Sequence, residues 1–256
     1  MTARHVAITG ATGGIGMAIA KRFAAGGDAL HLLGRDPGKL ASLGGELRAG
    51  GAVCEAHVCD VGDAPSLAAA MAQIPRLDVL VNSAGSIPRL SLAQSQPADW
   101  RGSWSDKVLG CIEATRLACE RMQAANGGRG GVVVNIIGTA GVRPNAKSVL
   151  TTTANAALIS FTQVAGALSV DDGIRIVGIN PGLTATPRTQ GSAGGSAASG
   201  AAGAQGAYAQ ALANLPLGRM AHAGEIADAV WFLASPQAAY ISGTVIDVDA
   251  GARWRI

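Results

Sequence analysis

A chain of 256 residues, 48% hydrophobic and only 14% charged, falls within the range of one α/β domain with a substantial core, and the composition suits a sheet covered by helices on both faces. The formal charge of +3 is too small and too dispersed for a nucleic-acid surface. No charged stretch followed by an apolar run opens the sequence, and no apolar segment of about 18 residues or more stands out, so neither a leader nor a membrane location is expected.

Short apolar runs of β type alternate with longer helical stretches. The runs are His5–Thr9, Ala29–Leu33, Ala52–Val58, Val79–Asn82, Val132–Ile137, Arg175–Ile179 and Thr244–Val248. Between them lie Ile15–Ala25, Pro37–Ala49, Ser66–Ile74, Ala98–Ala125, Ala154–Val170 and Glu225–Ala234. This alternation predicts one domain over residues 1–256: a doubly wound, seven-stranded, parallel Rossmann-type sheet with helices on both faces.

In the third run, Cys54, His57 and Cys59 invite a metal reading, but 54 and 57 face opposite sides of a strand and cannot converge, so no metal site is expected. With Cys111 and Cys119 they form no CxxC pair and read as free thiols of a reducing compartment, which points to the cytoplasm. From Gln190 to Gly206 the chain is nearly all Gly, Ala and Ser, too poor in apolar surface to hold itself rigid. Because this stretch follows the sixth strand, on the side where open α/β sheets bind ligands, a mobile lid is expected over roughly residues 188–214.

The first strand leads into Thr9-Gly10-Ala11-Thr12-Gly13-Gly14-Ile15-Gly16 and then a helix. Glycines at 10, 14 and 16 permit a tight turn, close approach of a pyrophosphate to the backbone, and close helix–strand packing. The helix N-terminus aims its free N–H groups at the phosphates. Asp60-Val61 follows the third strand and Asn82-Ser83-Ala84-Gly85 the fourth. Asn180-Pro181-Gly182, with Thr186, follows the sixth, and Asp249-Ala250-Gly251 comes near the end.

In spacing and order these motifs resemble the short-chain dehydrogenase/reductase family over nearly the whole length. The resemblance implies a nicotinamide cofactor held by Gly10, Thr12, Gly14, Ile15 and Gly16, with Asp60 and Val61 at the adenine. Asn82, Ala84 and Gly85 would back the ribose, and Pro181, Gly182 and Thr186 would lie at the nicotinamide. An acidic residue ending the second strand would repel a 2′-phosphate; here Gly34 stands there, followed by Arg35, whose guanidinium suits one. NADP(H) is therefore expected over NAD(H), although Gly13 stands where NADP-preferring relatives often carry a base.

The family's general acid–base chemistry uses a Tyr, a Lys four residues later, a Ser, and an Asn on a preceding helix. Laid on that pattern, Thr151 takes the Tyr place, Asn155 the Lys place, Gly138 the Ser place and Lys107 the Asn place. Neither Tyr208 nor Tyr240 starts a YxxxK. The Lys and the Asn have in effect exchanged positions, which would keep one ammonium and one amide in the same cavity. Lys107 could then serve as acid, or as base if desolvated, with Thr151, Ser148 and Asn155 orienting a substrate oxygen. Tyr208 could enter from the lid or merely anchor it, and Arg143 and Lys147 could draw in an anion or simply be solvated.

Three functions remain open. One is an NADP(H)-dependent oxidoreductase with a nonstandard site, acting on a small organic substrate bearing C=O, C=N or an activated C=C. Another is a redox-neutral lyase, isomerase or hydratase with Lys107 as its key charge. The last is a catalytically inactive cofactor-binding partner protein. The resemblance also implies a homodimer or homotetramer, built through 98–125, 154–170 and Trp254-Arg255-Ile256.

Overall fold

The computed structural model describes residues 3–189 and 212–255. The expected strands pair in one parallel sheet: β1 (His5–Thr9), β2 (Ala29–Gly34), β3 (Cys54–Val58), β4 (Val79–Asn82), β5 (Gly131–Ile136), β6 (Ile174–Pro181) and β9 (Thr244–Val248). Their order is β3-β2-β1-β4-β5-β6-β9, so the winding reverses between β1 and β4. That reversal opens the crevice in which doubly wound sheets bind ligands, beyond the carboxyl ends of the strands. A second, two-stranded pairing joins β7 (Thr184–Ala185) to β8 (Ala221–His222).

The helices are α1 (Gly14–Ala25), α2 (Pro37–Ala49), α3 (Ala64–Ala72), α4 (Pro97–Ser103), α5 (Gly110–Met122), α6 (Val149–Leu168) and α7 (Ala223–Leu233). Asp36 and Asp63 start α2 and α3 by accepting from the backbone N–H groups of Lys39 and Ser66, with Pro37 and Pro65 in the first turns, where proline costs nothing. One sheet face packs Ile8, Leu32, Val81 and Val134 against Ile19, Phe23 and Val230 from α1 and α7. The other packs Ala7, Leu33 and Leu80 against Leu67, Met71 and Met122 from α3 and α5. Cys54 belongs to the first layer and Cys59 to the second, as strand alternation requires. All four cysteines are free.

Two expectations are corrected. The single helix expected over 98–125 is broken by a π-helical turn at Trp104–Leu109, a feature with no signature in hydrophobic periodicity. The stretch Ala146–Asp172, which contains an 18-residue window with a mean hydropathy of 1.2, is by length and composition apolar enough to cross a membrane, contrary to the expectation that no such segment exists. Its Ala- and Thr-rich composition hid it. Its α6 portion lies along the sheet and buries Leu150, Ala154, Leu158 and Thr162 there.

Asp249-Ala250-Gly251 closes a turn in which Asp249 accepts from the backbone of Gly251 and Arg253. Ala250 is forced to a left-handed φ of +52°. That geometry costs a residue with a Cβ about 1–2 kcal/mol, partly offset because glycine gives up about 0.5–1 kcal/mol more freedom on folding. Ala250→Gly is therefore expected to raise stability by about 0.5 kcal/mol, read as a higher denaturant midpoint at unchanged slope.

Candidate active site

Gly10, at a φ of +64°, turns the chain out of β1 so tightly that a Cβ there would lie 2.7 Å from the Ala84 Cα and 2.9 Å from the Ser83 carbonyl oxygen. The loops after β1 and β4 thus touch backbone to backbone. Thr9 fixes the contact, its Oγ1 accepting from the N–H of Ser83 (3.2 Å) and of Ala84 (3.3 Å). A Cβ on Gly16 would run into the Gly10 carbonyl oxygen, so α1 packs directly on the turn. Gly13 caps α1 without a side-chain acceptor, and no acidic residue stands in its first turn. The first N–H groups of the helix are thereby left for an anion. Thr186 closes the far side, and a Cβ on Gly14 would lie 2.6 Å from the Thr186 Cβ.

These residues fit a dinucleotide. At the end of β2, a side chain at Gly34 would stand 3.7 Å from Thr12 Oγ1, so the glycine leaves open the place where an acidic residue would repel a 2′-phosphate. Arg35 is exposed there, 3.6 Å from Asp106, an ion pair worth about 0–1 kcal/mol. Asp60 accepts from the Gly62 N–H at 3.0 Å, and Ser105 from the π turn donates to the Gly62 carbonyl at 2.9 Å, which pins the Asp60-Val61 loop beside the crevice. Pro181 ends β6, and Gly182 lies so close to Asp249 that a Cβ would stand 2.8 Å from that residue's own.

Asn82 departs from its expected place at the ribose. Its amide is buried and donates to Thr115 Oγ1 (3.1 Å) and Asn135 Oδ1 (2.9 Å), so the side chain ties β4 to β5 and α5 while Ala84 and Gly85 face the crevice. The reason is strand alternation: Asn82 points into the sheet layer from which α5 is suspended.

The exchanged Lys and Asn meet at the end of β5. The π turn aims Lys107 across Gly85, whose φ of +117° and missing Cβ admit the lysine stem. Lys107 Nζ donates to the Ile137 carbonyl at 3.1 Å, and Asn155 Nδ2 donates to the next carbonyl, that of Gly138, at 3.2 Å. Burial of the ammonium, with a smaller contribution from the nearby Arg188, brings the Lys107 pKa down to about 8. Beside it, burial pushes the Cys111 thiol up to about 12, so that group is neutral. Among the described residues, Asn155 Oδ1 is a buried acceptor with no hydrogen-bond partner.

Gly138 has a φ of +132°, and a Cβ there would lie 2.9 Å from Asn155 Nδ2, so a serine at this position would be strained in this backbone. Thr151 is half-buried on α6 and its side chain makes no hydrogen bond among the described residues, whereas Ser148 is buried just before the helix. Arg143 is committed to the Ala252 carbonyl at 2.8 Å, and Lys147 is exposed. Tyr208 and most of the expected lid lie outside the described residues.

A family model described as enoyl-(acyl carrier protein) reductase matches residues 10–253. The galactitol 2-dehydrogenase (L-tagatose-forming) of Cereibacter sphaeroides is 32% identical over 96% of this chain and 93% of its own length. The oxidoreductase UcpA of Escherichia coli O157:H7 is 32% identical over 98% and 95%. Among solved structures, the L-sorbose reductase of Gluconobacter frateurii complexed with NADPH and L-sorbose superposes with a TM-score of 0.92 at 26% identity, covering 100% of this chain and 98% of that one. An actinorhodin polyketide ketoreductase with NADPH gives 0.91 at 25% identity, over 98% and 97%.

Proposed function

The chain belongs to the short-chain dehydrogenase/reductase family, and from that premise we propose that it is an NADP(H)-dependent oxidoreductase in which Lys107, rather than a tyrosine, handles the proton. The observation that carries this reading is the placement of Lys107. It is an ammonium with a pKa lowered to about 8, donating to the carbonyl next to the one that holds the Asn155 amide, whose oxygen is buried and without a partner among the described residues, at the carboxyl ends of β4 and β5. The turn 10–16, Asp60, Ala84, Gly85 and Thr186 would hold the cofactor, and Arg35 would hold its 2′-phosphate. Bound there, the nicotinamide supplies or accepts a hydride.

Lys107 then gives a proton to the substrate atom that gains electron density, and Asn155 and Thr151 orient the substrate. A C=N bond or an activated C=C needs less help from a proton donor than an unactivated ketone, and is the substrate class proposed for a site without the tyrosine. The NADPH-bound sugar and polyketide reductases among its structural relatives support the cofactor assignment. The same reading includes a homodimer or homotetramer, supported by the exposed Val164 and Leu168 on α6 and by Trp254.

The test is NADPH consumption with panels of cyclic imines, activated alkenes and ketones, on both sides of pH 8. The reading predicts reduction of at least one imine or activated alkene, falling as pH rises through about 8 while Lys107 loses its proton. No turnover with any class, or a rate indifferent to pH across that range, contradicts it. Arg35→Ala is expected to weaken NADPH binding by about 10- to 100-fold, the worth of a charge-assisted contact, and to leave NADH binding nearly unchanged. Paired fluorescence titrations read both values.

A further inference from the structure

Three of the four histidines, His5, His31 and His57, stand 26 residues apart, one on each of β1, β2 and β3. Ala7 pairs with His31 and Leu33 with His57, so each imidazole sits two residues further along its strand than the one before. They form a diagonal ladder on the face that carries α3 and α5, within reach of one another. His5 Nδ1 lies 3.1 Å from His31 Nε2, His31 Nδ1 lies 3.1 Å from His57 Nε2, and His57 Nδ1 lies 3.4 Å from Gln73 Oε1. His31 and His57 are both buried.

Glu55, two residues before His57 on the same face of the edge strand, sets its Oε2 3.7 Å from His31 Nδ1 and 3.9 Å from His57 Nε2. These distances are too long for hydrogen bonds. The three atoms nevertheless share a centre about 2.1 Å from each, the length of a zinc–nitrogen or zinc–oxygen bond. We infer that His31 Nδ1, His57 Nε2 and Glu55 Oε2 form a binding site for a borderline divalent ion, zinc above all.

Two imidazoles and one carboxylate disfavour magnesium and calcium, which take oxygen ligands. The groups behind the ligands are the kind a metal site needs. With an ion bound, His57 Nδ1–H would donate to the Gln73 side-chain oxygen and His31 Nε2–H to His5 Nδ1, the tautomers that turn both remaining lone pairs inward. Glu55 is exposed, so the ion enters from solvent and keeps a water as its fourth ligand. The site ties the edge strand β3 to β2 and owes nothing to the cofactor crevice. An ion bound only by the folded chain stabilises it by mass action.

The test is a zinc titration of the chelator-treated full-length protein by calorimetry and by competition with a chromophoric chelator, with cobalt(II) as a spectroscopic probe. One equivalent should bind, raise the melting temperature and give cobalt d–d bands of low coordination number. Glu55→Gln, at an exposed side chain that the fold does not depend on, should weaken binding by at least about tenfold, and His57→Gln should abolish it. Cys54→Ser and Cys59→Ser should leave it unchanged. No binding, or binding that survives Glu55→Gln and His57→Gln, or that is lost in a cysteine variant, overturns the inference and leaves the ladder as a row of imidazoles sharing protons.

Discussion

Lys107→Met should lower turnover by about 100- to 10,000-fold, the contribution of a positioned proton donor, while making the protein more stable. The two effects have one cause. Near neutral pH the native lysine is protonated in a site where burial has brought its pKa from 10.5 to about 8, so folding removes a charged amine from water at a cost. Methionine keeps the stem that crosses Gly85 and removes the charge, giving up only the contact with the Ile137 carbonyl. The expected gain at pH 7 is about 1–3 kcal/mol.

Its pH dependence has a definite sign. The folded pKa lies below the unfolded one, so between about 8 and 10.5 the unfolded chain holds more protons, and wild-type stability should rise with pH across that window. Lys107→Met should lack that rise. Urea midpoints for both proteins on either side of pH 8 measure it. A lysine retained for structure would instead be missed by the fold, and a less stable variant would contradict the assignment. A group that costs stability where it sits is one that function retains.

The second large effect belongs to the turn after β1. Gly10→Ala should cost about 3 kcal/mol or more and remove measurable NADPH binding. The left-handed φ of +64° alone disfavours alanine by about 1–2 kcal/mol. The new methyl would also press on Ala84 and Ser83 backbone atoms at 2.7–2.9 Å, where no side chain can rotate away. The loops after β1 and β4 must then part, which pulls the N–H groups of α1 away from the cofactor phosphates. Alanine at exposed Gly45 on α2, where a Cβ meets nothing within 4 Å, is the control and should leave binding unchanged.

What could be read from the sequence is what depends on neighbours along the chain. The run from Thr9 to Gly16 carries its turn, phosphate cradle and helix start within one segment, and the strands showed as apolar runs. The departures came from contacts between segments. Nothing local marks the π turn at Trp104–Leu109, although that turn is what carries Lys107 over Gly85. The position of its motif suggests the ribose for Asn82, yet strand alternation turns the amide inward to Asn135 and Thr115.

The histidine ladder does not show along any one strand, where 54, 57 and 59 stand out instead, because His57 meets His31 across the sheet. The equal spacing of His5, His31 and His57, in a chain with one strand per crossover, was the available signal. The exchange between 107 and 155 was legible as residue identity. Its geometry, two donors on consecutive carbonyls with an orphaned amide oxygen beside them, needed the fold.

The most direct test of the account is a titration of the purified protein with NADPH and with NADH, followed by nicotinamide fluorescence. Saturable binding of NADPH, at least about tenfold tighter than that of NADH, is the predicted result, because the turn after β1 is intact and Arg35 stands open at the end of β2. Failure to bind either nucleotide would contradict the oxidoreductase assignment and leave Lys107 to redox-neutral chemistry.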